Sequence, residues 1–328
     1  MTSASPLPTR VQPMSPFLTL CEERLRLAVA GHAEEVGAPA AATLAAGGKR
    51  VRPLLVFCCA PAEALAAAEA RADLLSAAAA VELVHMATLV HDDLLDGATM
   101  RRGRPTVAAS LGAERAVSTG DFLFARAFAE LTRTGSAEAV SALAAAALDL
   151  SQGEIDQQRA AFDFDLTEGA YLDRCRRKTA ALFAVACRLG ASIGGLDPEA
   201  ADRLAAFGEN VGMAFQIFDD ILDLAGSPAA TGKRRGTDLV DGTVTLPVIL
   251  ALQLEPGLRG PVAAAPGAPE TVEALCDRLA THEGLAIARR RALGFVAAAR
   301  SAIDEGSVEG ADVGALLEIA DGVVDRYS

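Results

Sequence analysis

Apolar positions recur at three- and four-residue spacing through most of this chain, which predicts long helices over 17–30, 54–70, 73–96, 115–133, 137–158, 168–193 and 198–225. Shorter helices are expected at 243–254, 270–281, 284–303 and 310–325. The breaks have local causes. Gly47-Gly48 opens a loop, and Arg52-Pro53 begins a helix with Pro in its first turn. Gly97 to Thr106 is a polar, basic turn, and Gly194-Gly195 followed by Asp197-Pro198 is a stop and a restart. Ser227 to Gly242 is expected as a long loop rich in Gly, Lys, Arg and Asp, and Gly257 to Pro269 as an exposed loop. Residues 1–14, rich in Pro, Ser and Thr, are expected to be a disordered tail before one all-helical domain over 15–328.

Composition narrows the classes. The 328 residues are 51% hydrophobic but only 4% aromatic, without Trp. Ala and Leu dominate, and both cost little in a helix. The net charge of −13 argues against a nucleic-acid partner, because that affinity comes from Lys and Arg on phosphates. Six cysteines show no CxxC pair and no His partner at metal spacing, so they are expected as reduced core thiols in a cytoplasmic protein. No signal-peptide pattern and no uncharged apolar run of about 18 residues is present, so no transmembrane helix is expected. A greasy substrate or product would be met at a membrane surface or in a pocket.

Two acidic strings stand out from this background. Asp92-Asp93-Leu94-Leu95-Asp96 and Asp219-Asp220-Ile221-Leu222-Asp223 both read DDxxD, each at the end of a predicted helix. Residues i and i+4 share a helix face, so Asp92 projects with Asp96 and Asp219 with Asp223. Carboxylates at a helix C-terminus oppose the macrodipole. Apolar neighbours such as Leu89, Val90, Leu94 and Leu95 argue that these turns are buried, where like charges are costly. A divalent cation relieves that cost, and Mg²⁺ shared with a phosphorylated substrate fits best. One such string alone is as readily a solvated surface turn; two at matching helix ends are not.

Basic residues cluster beside the acids: Gly47-Gly48-Lys49-Arg50-Val51-Arg52, Met100-Arg101-Arg102-Gly103-Arg104-Pro105 and Thr231-Gly232-Lys233-Arg234-Arg235-Gly236. Each alone reads as ordinary solvated charge. On an acidic chain, three basic Gly-containing turns beside acidic metal clusters point to diphosphates held by cations on both sides.

HMATLVHDDLLDGATMRRGRPT (His85 to Thr106) and GMAFQIFDDILDLAGSPAATGKRRGTDL (Gly212 to Leu239) resemble the two aspartate-rich regions of the trans-polyprenyl diphosphate synthases. GGKRVRPLL from Gly47 and Lys178-Thr179-Ala180 match further motifs of that family in its order. The resemblance covers about residues 15 to 326. It implies an all-α, isoprenoid-synthase-type bundle around a deep central cavity, and a head-to-tail prenyltransferase. Isopentenyl diphosphate and an allylic diphosphate would be the substrates. By the same resemblance Asp92, Asp96 and Asp219 would bind three Mg²⁺ ions (Mn²⁺ being a possible substitute), supported by Asp93, Asp220 and Asp223. Arg101, Lys178 and Lys233 would hold the departing diphosphate, and Lys49, Arg52, His85 and Arg102 isopentenyl diphosphate. Thr179 and Gln216 would face the developing cation. His91, just before the acids, could support them, and Glu82 is assigned no chemistry. The chain departs from the family at Thr243, where GK-x-T-L-P would place a lysine. Lys233, Arg234 and Arg235 could compensate. A homodimer is implied, with peripheral membrane contact possible.

Product length depends on residues one to three turns before Asp92. Ala87, Val84, Val81 and Thr88, with Ala80 beyond, would form the floor beneath a growing tail. Ala87 occupies the position where a bulky aromatic resembles the short-product pattern. Its small side chain favours a medium or long polyprenyl diphosphate, as used for quinone side chains. Geranylgeranyl or farnesyl diphosphate is the alternative product. A class I terpene cyclase would need no isopentenyl site, which Lys49/Arg52 and Arg101/Arg102 argue against. An inactive partner subunit should have lost acids, and both strings are intact.

Overall fold

The computed structural model describes residues 9–226, 235–267, 270–304, 306 and 308–325. The fold is all-α. Among the described residues, strand is confined to a hairpin pairing Met100–Arg101 with Arg104–Pro105. The described residues form two compact units: one from within 1–147, 182–208 and 303–319, the other from within 148–181, 209–302 and 320–328.

In the first unit the helix Ala68–Leu95 is the core element. It packs chiefly on Ala113–Leu131, and also on Val51–Cys58 and Ser15–Val29. Ala77, Ala78, Ala79, Ala80, Val81, Leu83 and Val84 are all fully buried. A helix apolar on every side belongs in a core, and its run of alanines lets neighbours approach closely. Each fully buried Val or Leu contributes about 1.5–3 kcal/mol. The same helix is long and apolar enough to cross a membrane, yet 72% of its most apolar window is buried inside the protein. In the second unit Leu246–Leu254 lies on Glu283–Ala302. Gly284 allows this, because a Cβ there would sit 2.7 Å from the Ala251 nitrogen.

Several elements differ from expectation. Thr9–Met14 is a 3₁₀ helix with Val11 and Met14 buried, so residues 9–14 of the tail expected to be disordered are helical. Glu34–Ala45 is a helix that Gly37 and Pro39 hide in the sequence; Glu34 and Glu35 favour its first turn. Pro61 divides the expected 54–70 helix into Val51–Cys58 and Ala62–Ala66. The expected 168–193 helix is interrupted at Arg176–Ala180 by a turn of π-helix. Gly257 to Pro269, expected as a loop, is helical where described: 3₁₀ at Pro256–Leu258, α at Arg259–Ala264 and 3₁₀ at Ala265–Gly267. Leu258, Val262 and Ala265 supply its buried face at helical spacing. All six cysteines are free and buried.

Candidate active site

In the first unit, Ala68–Leu95 ends within the first acid string. Asp93 is buried and accepts from Arg101 Nε at 2.7 Å. Asp92 is half-buried, while Leu95 and Asp96 are exposed. The expectation that the whole turn is buried fails at its last residues. Mg²⁺ is usually bound through one or two carboxylates together with substrate phosphates and waters, which carboxylates open to solvent permit. Among the described residues no three His, Cys, Asp or Glu side chains come together as a metal site.

The hairpin after the acids turns at Arg102-Gly103, with φ of 50° and 73°. Positive φ at both central residues is what a two-residue type I′ turn requires. Arg102 adopts this disfavoured conformation and donates Nη1 to the Gly47 carbonyl. Gly48 makes room, because a Cβ there would lie 2.8 Å from Arg102 Nη1 and 3.0 Å from Arg50 Nη1. Arg50 is also at φ 50°. It is buried, paired with Glu82 at 2.8 Å and with Glu22, and donates to the Gly47 and Leu44 carbonyls at 3.4 and 3.3 Å. Nothing in the sequence distinguishes this structural arginine from its neighbours, and Glu82 proves to be its partner.

Removing one member of a buried ion pair costs about 3–5 kcal/mol, because the other charge stays buried. Glu82→Ala is therefore expected to lower unfolding free energy by about 3 kcal/mol, the low end, since Glu22 remains. Urea denaturation checks this: the midpoint should fall with the slope unchanged.

Arg52 points elsewhere. Its guanidinium carbon lies 4.5 Å from the Phe183 ring centroid, and its Nε is a buried donor without a partner. Burial, with Arg102 nearby, pulls its pKa down to about 10, although Glu82 opposes the shift. Burial, then Arg52, Arg102, Arg101 and Arg50, holds the His85 imidazole well below its ordinary value. Four arginines around one imidazole disfavour one more proton, and although Arg50 and Arg101 have carboxylate partners, the buried Arg52 Nε has none. A cavity of about 220 Å³ is lined here by Gly47, His85, Met86, Leu89, Arg101 and Arg102. Lys49 lies exposed on the same segment. His91 turns away from this cavity. Its ring fills the space beside Gly120 and lies 3.7 Å from Asp121.

Upstream on the helix, Ala87, Val84, Val81 and Ala80 are fully buried. Thr88 is half-buried and donates to the His85 carbonyl at 2.9 Å.

The second unit repeats the pattern. On Pro198–Ala225, Asp219 is exposed and Asp220 buried. Asp220 accepts from Tyr171 Oη at 2.6 Å and from Gln216 Nε2 at 2.8 Å. Burial, with Asp219 beside it, lifts its pKa to about 7 against the pull of those hydrogen bonds and Arg174. Asp223 accepts from the Thr237 and Asp238 amides at 3.1 and 3.2 Å, capping the short helix Thr237–Asp241. Burial, then Asp223, Asp220, Asp219 and Asp241, raises Asp238 well above the usual carboxylate range. Negative charge thus accumulates around this string.

Lys178 and Thr179 lie in the π-turn, an element frequent at functional sites. Gly153 lets that turn approach, since a Cβ there would be 2.6 Å from the Lys178 nitrogen. Lys178 pairs with Glu154 at 2.5 Å, and Thr179 Oγ1 donates to Gln216 Oε1 at 2.7 Å. Lys233 and Arg234 lie outside the described residues. Arg235 is committed to Glu273 at 2.8 Å, Asp277 at 2.9 Å and the Leu224 carbonyl, so it is no replacement for the lysine absent at Thr243. Sequence reasoning missed Tyr171, Arg174 and Glu154. A faint signal existed for two: Tyr171 and Arg174 share a helix stripe with Lys178 at i, i+3 and i+7.

Comparison with known proteins is consistent with these features. The chain is 43% identical over 261 residues to heptaprenyl diphosphate synthase component 2 of Geobacillus stearothermophilus, covering 79% of this chain and 78% of the relative. It is 40% identical over 216 residues to the chloroplastic solanesyl diphosphate synthase 1 of Arabidopsis thaliana, covering 65% of this chain and 53% of that longer protein. The structure superposes on heptaprenyl diphosphate synthase from Staphylococcus aureus with TM-score 0.87 and 27% identity, covering 96% of this chain and 99% of that one. The profile of the family described as Polyprenyl synthetase matches residues 33–274, and the chain belongs to that family.

Proposed function

We propose that this prenyltransferase condenses isopentenyl diphosphate with an allylic diphosphate to make a polyprenyl diphosphate of about six to ten isoprene units, the small Ala87 leaving room that a bulkier side chain would overpack. The observation that carries the reading is in the first unit: an open carboxylate turn beside a cluster of Arg52, with its buried unpartnered Nε, Arg101, Arg102 and His85. Such a pairing suits a diphosphate, bridged by metal on one side and gripped by guanidinium on the other. The heptaprenyl and solanesyl names of the relatives support a medium or long product.

Asp92, Asp96 and Asp219 would hold Mg²⁺ with the allylic diphosphate, three ions in all. Asp93, Asp220 and Asp223 would support them through the contacts described above. The bound metal neutralises charge on the leaving diphosphate. Arg101, Lys178 and Lys233 would hold that diphosphate as the allylic C–O bond breaks, its electron pair leaving with oxygen. The double bond of isopentenyl diphosphate then attacks the allylic carbon, and loss of a proton restores an alkene five carbons longer. Lys49, Arg52, His85 and Arg102 would place this second substrate. Thr179 and Gln216 would turn neutral oxygen dipoles toward the cation.

The reading includes a single catalytic domain, a homodimer and a cytoplasmic location. The Geobacillus relative carries "component 2" in its name, so a complex with a different chain is the alternative to a homodimer. Sedimentation of the purified chain, active alone or inactive alone, separates the two.

The reaction is tested with purified protein, Mg²⁺, labelled isopentenyl diphosphate and three allylic primers of increasing length. Chain-extended products are expected. Absence of extension with every primer would overturn the function. In the same assay Arg102→Ala and Lys49→Ala are expected to raise KM for isopentenyl diphosphate by about ten- to a hundredfold, the worth of one charge-assisted hydrogen bond. Arg101→Ala should act mainly on the allylic substrate and on kcat. Equal effects on both substrates would refute this division.

A further inference from the structure

We propose that Tyr171 and Arg174 are positioning residues, fixing the Gln216 amide and Thr179 hydroxyl so that the ionised allylic substrate is captured by isopentenyl diphosphate rather than by water. The inference rests on the reaction proposed above and concerns two residues that reaction does not use.

The second unit contains an unbroken hydrogen-bonded chain. Tyr171 Oη donates to Asp220 Oδ2 at 2.6 Å, and Gln216 Nε2 donates to Asp220 Oδ1 at 2.8 Å. Thr179 Oγ1 donates to Gln216 Oε1 at 2.7 Å. Tyr171 donates to Oδ2 and the amide meets Oδ1 with its Nε2 donor, so the Asp220 carboxyl fixes which end of the amide faces it. Nε2 must point to Asp220 and Oε1 to Thr179; the flipped amide would set oxygen against oxygen. The threonine proton is thereby drawn toward Gln216. The direction of both dipoles thus traces back to one buried carboxylate.

Tyr171 holds that carboxylate. Its side chain is fully buried, and no other side-chain donor to Oδ2 is present among the described residues. Without the hydroxyl, Oδ2 would be a buried acceptor seeking a donor, and the Gln216 amide already donates to the same carboxyl group. Arg174 holds Tyr171 in turn. Its guanidinium lies 5.3 Å from the Tyr171 ring centroid, within cation–π range. Nη2 donates to the Val244 carbonyl at 2.8 Å, just before the helix Leu246–Leu254. The ring and the carbonyl thus fix the Arg174 guanidinium, whose charge also acts on Asp220.

A misaligned pair of dipoles has a specific chemical consequence. Once the allylic C–O bond has broken, water can add to the cation; its oxygen forms the new C–O bond and a proton passes to solvent. The product is an allylic alcohol in place of a chain-extended diphosphate. The ratio of alcohol to extended product reports how well the cation is shielded and oriented. It does not depend on how much of the protein is folded, because both products come from the same active molecules.

The test measures that ratio for wild type, Tyr171→Phe and Arg174→Lys with Mg²⁺, an allylic diphosphate and labelled isopentenyl diphosphate. Tyr171→Phe keeps the ring and removes only the donor. The expected result is an increase in the alcohol ratio of about fivefold or more, with kcat lowered and KM for both diphosphates within about twofold of wild type. Arg174→Lys keeps the charge but loses the planar fork, and should move the ratio the same way by about twofold or more. Should one variant fail to accumulate, the other still decides. A wild-type ratio in the soluble variants overturns the inference, whatever happens to kcat. A wild type that extends no primer overturns the proposed reaction and this inference with it.

Discussion

Asp92→Ala and Asp219→Ala are each expected to lower turnover by about a thousandfold or more while leaving the helical fold intact. Loss of a metal ligand removes several kcal/mol of transition-state stabilisation, and each 1.4 kcal/mol is about tenfold in rate. The two residues are half-buried and exposed, so the fold loses little when they are truncated. Their immediate neighbours should behave differently. Asp93→Ala leaves Arg101 without its buried acceptor, and Asp220→Ala leaves Tyr171 and Gln216 without theirs. Those variants should lose stability as well as rate, by about 1–3 kcal/mol for each orphaned group. The comparison needs kcat across a Mg²⁺ titration and thermal unfolding for all four variants. EDTA should abolish activity of the wild type. Near-normal turnover of Asp92→Ala or Asp219→Ala at any Mg²⁺ concentration would sink the assignment of these two carboxylates as metal ligands.

That division within each acid string shows where sequence reading stops. The DDxxD spacing identifies a helix end and pairs the first with the last carboxylate. It says nothing about the second, whose side chain points about 100° away around the helix and into the core. Asp93 and Asp220 became distinguishable only once Arg101 and Tyr171 were in place beside them. The same limit applies to Lys49-Arg50-Val51-Arg52. Three cations in four residues, beside the acid strings and the other basic turns, point to an anion site. Which of them is spent on Glu82 depends on a helix turn thirty residues away. Periodicity located the long helices because their apolar stripes are continuous. It missed Glu34–Ala45 and Arg259–Ala264, whose stripes are short and interrupted by Gly and Pro. The π-turn at Arg176–Ala180 was invisible for another reason: one extra residue in a helix leaves the local composition unchanged.

Ala87→Phe is expected to shift the product from the medium or long range toward about 15–20 carbons, with the first condensation nearly unharmed. The reason is steric. Packed interiors accept extra volume only at a cost of about 1–3 kcal/mol, and only a tail long enough to reach the ring incurs it. Short intermediates pass beneath the same diphosphate site unhindered, so the early steps keep their rate and the later ones stop. Ala87 is fully buried, as are Val84 and Val81 below it, so part of the strain will fall on the protein itself. Thermal unfolding of the variant measures that share. Thr88 lies about 100° around the helix from Ala87. It is half-buried, with its hydroxyl bonded to the His85 carbonyl, and Thr88→Phe is expected to shorten the product less. Chromatographic product profiles of wild type and both variants settle the direction of the tail. A wild type that itself stops at about 20 carbons means that the small Ala87 leaves no usable room below it, and the long-product reading fails. An Ala87→Phe enzyme that is folded and still makes the wild-type product places the tail on another face of Ala68–Leu95. A larger effect at Thr88 would identify that face as the one directly beneath Asp92, since residues four apart on a helix lie one above the other.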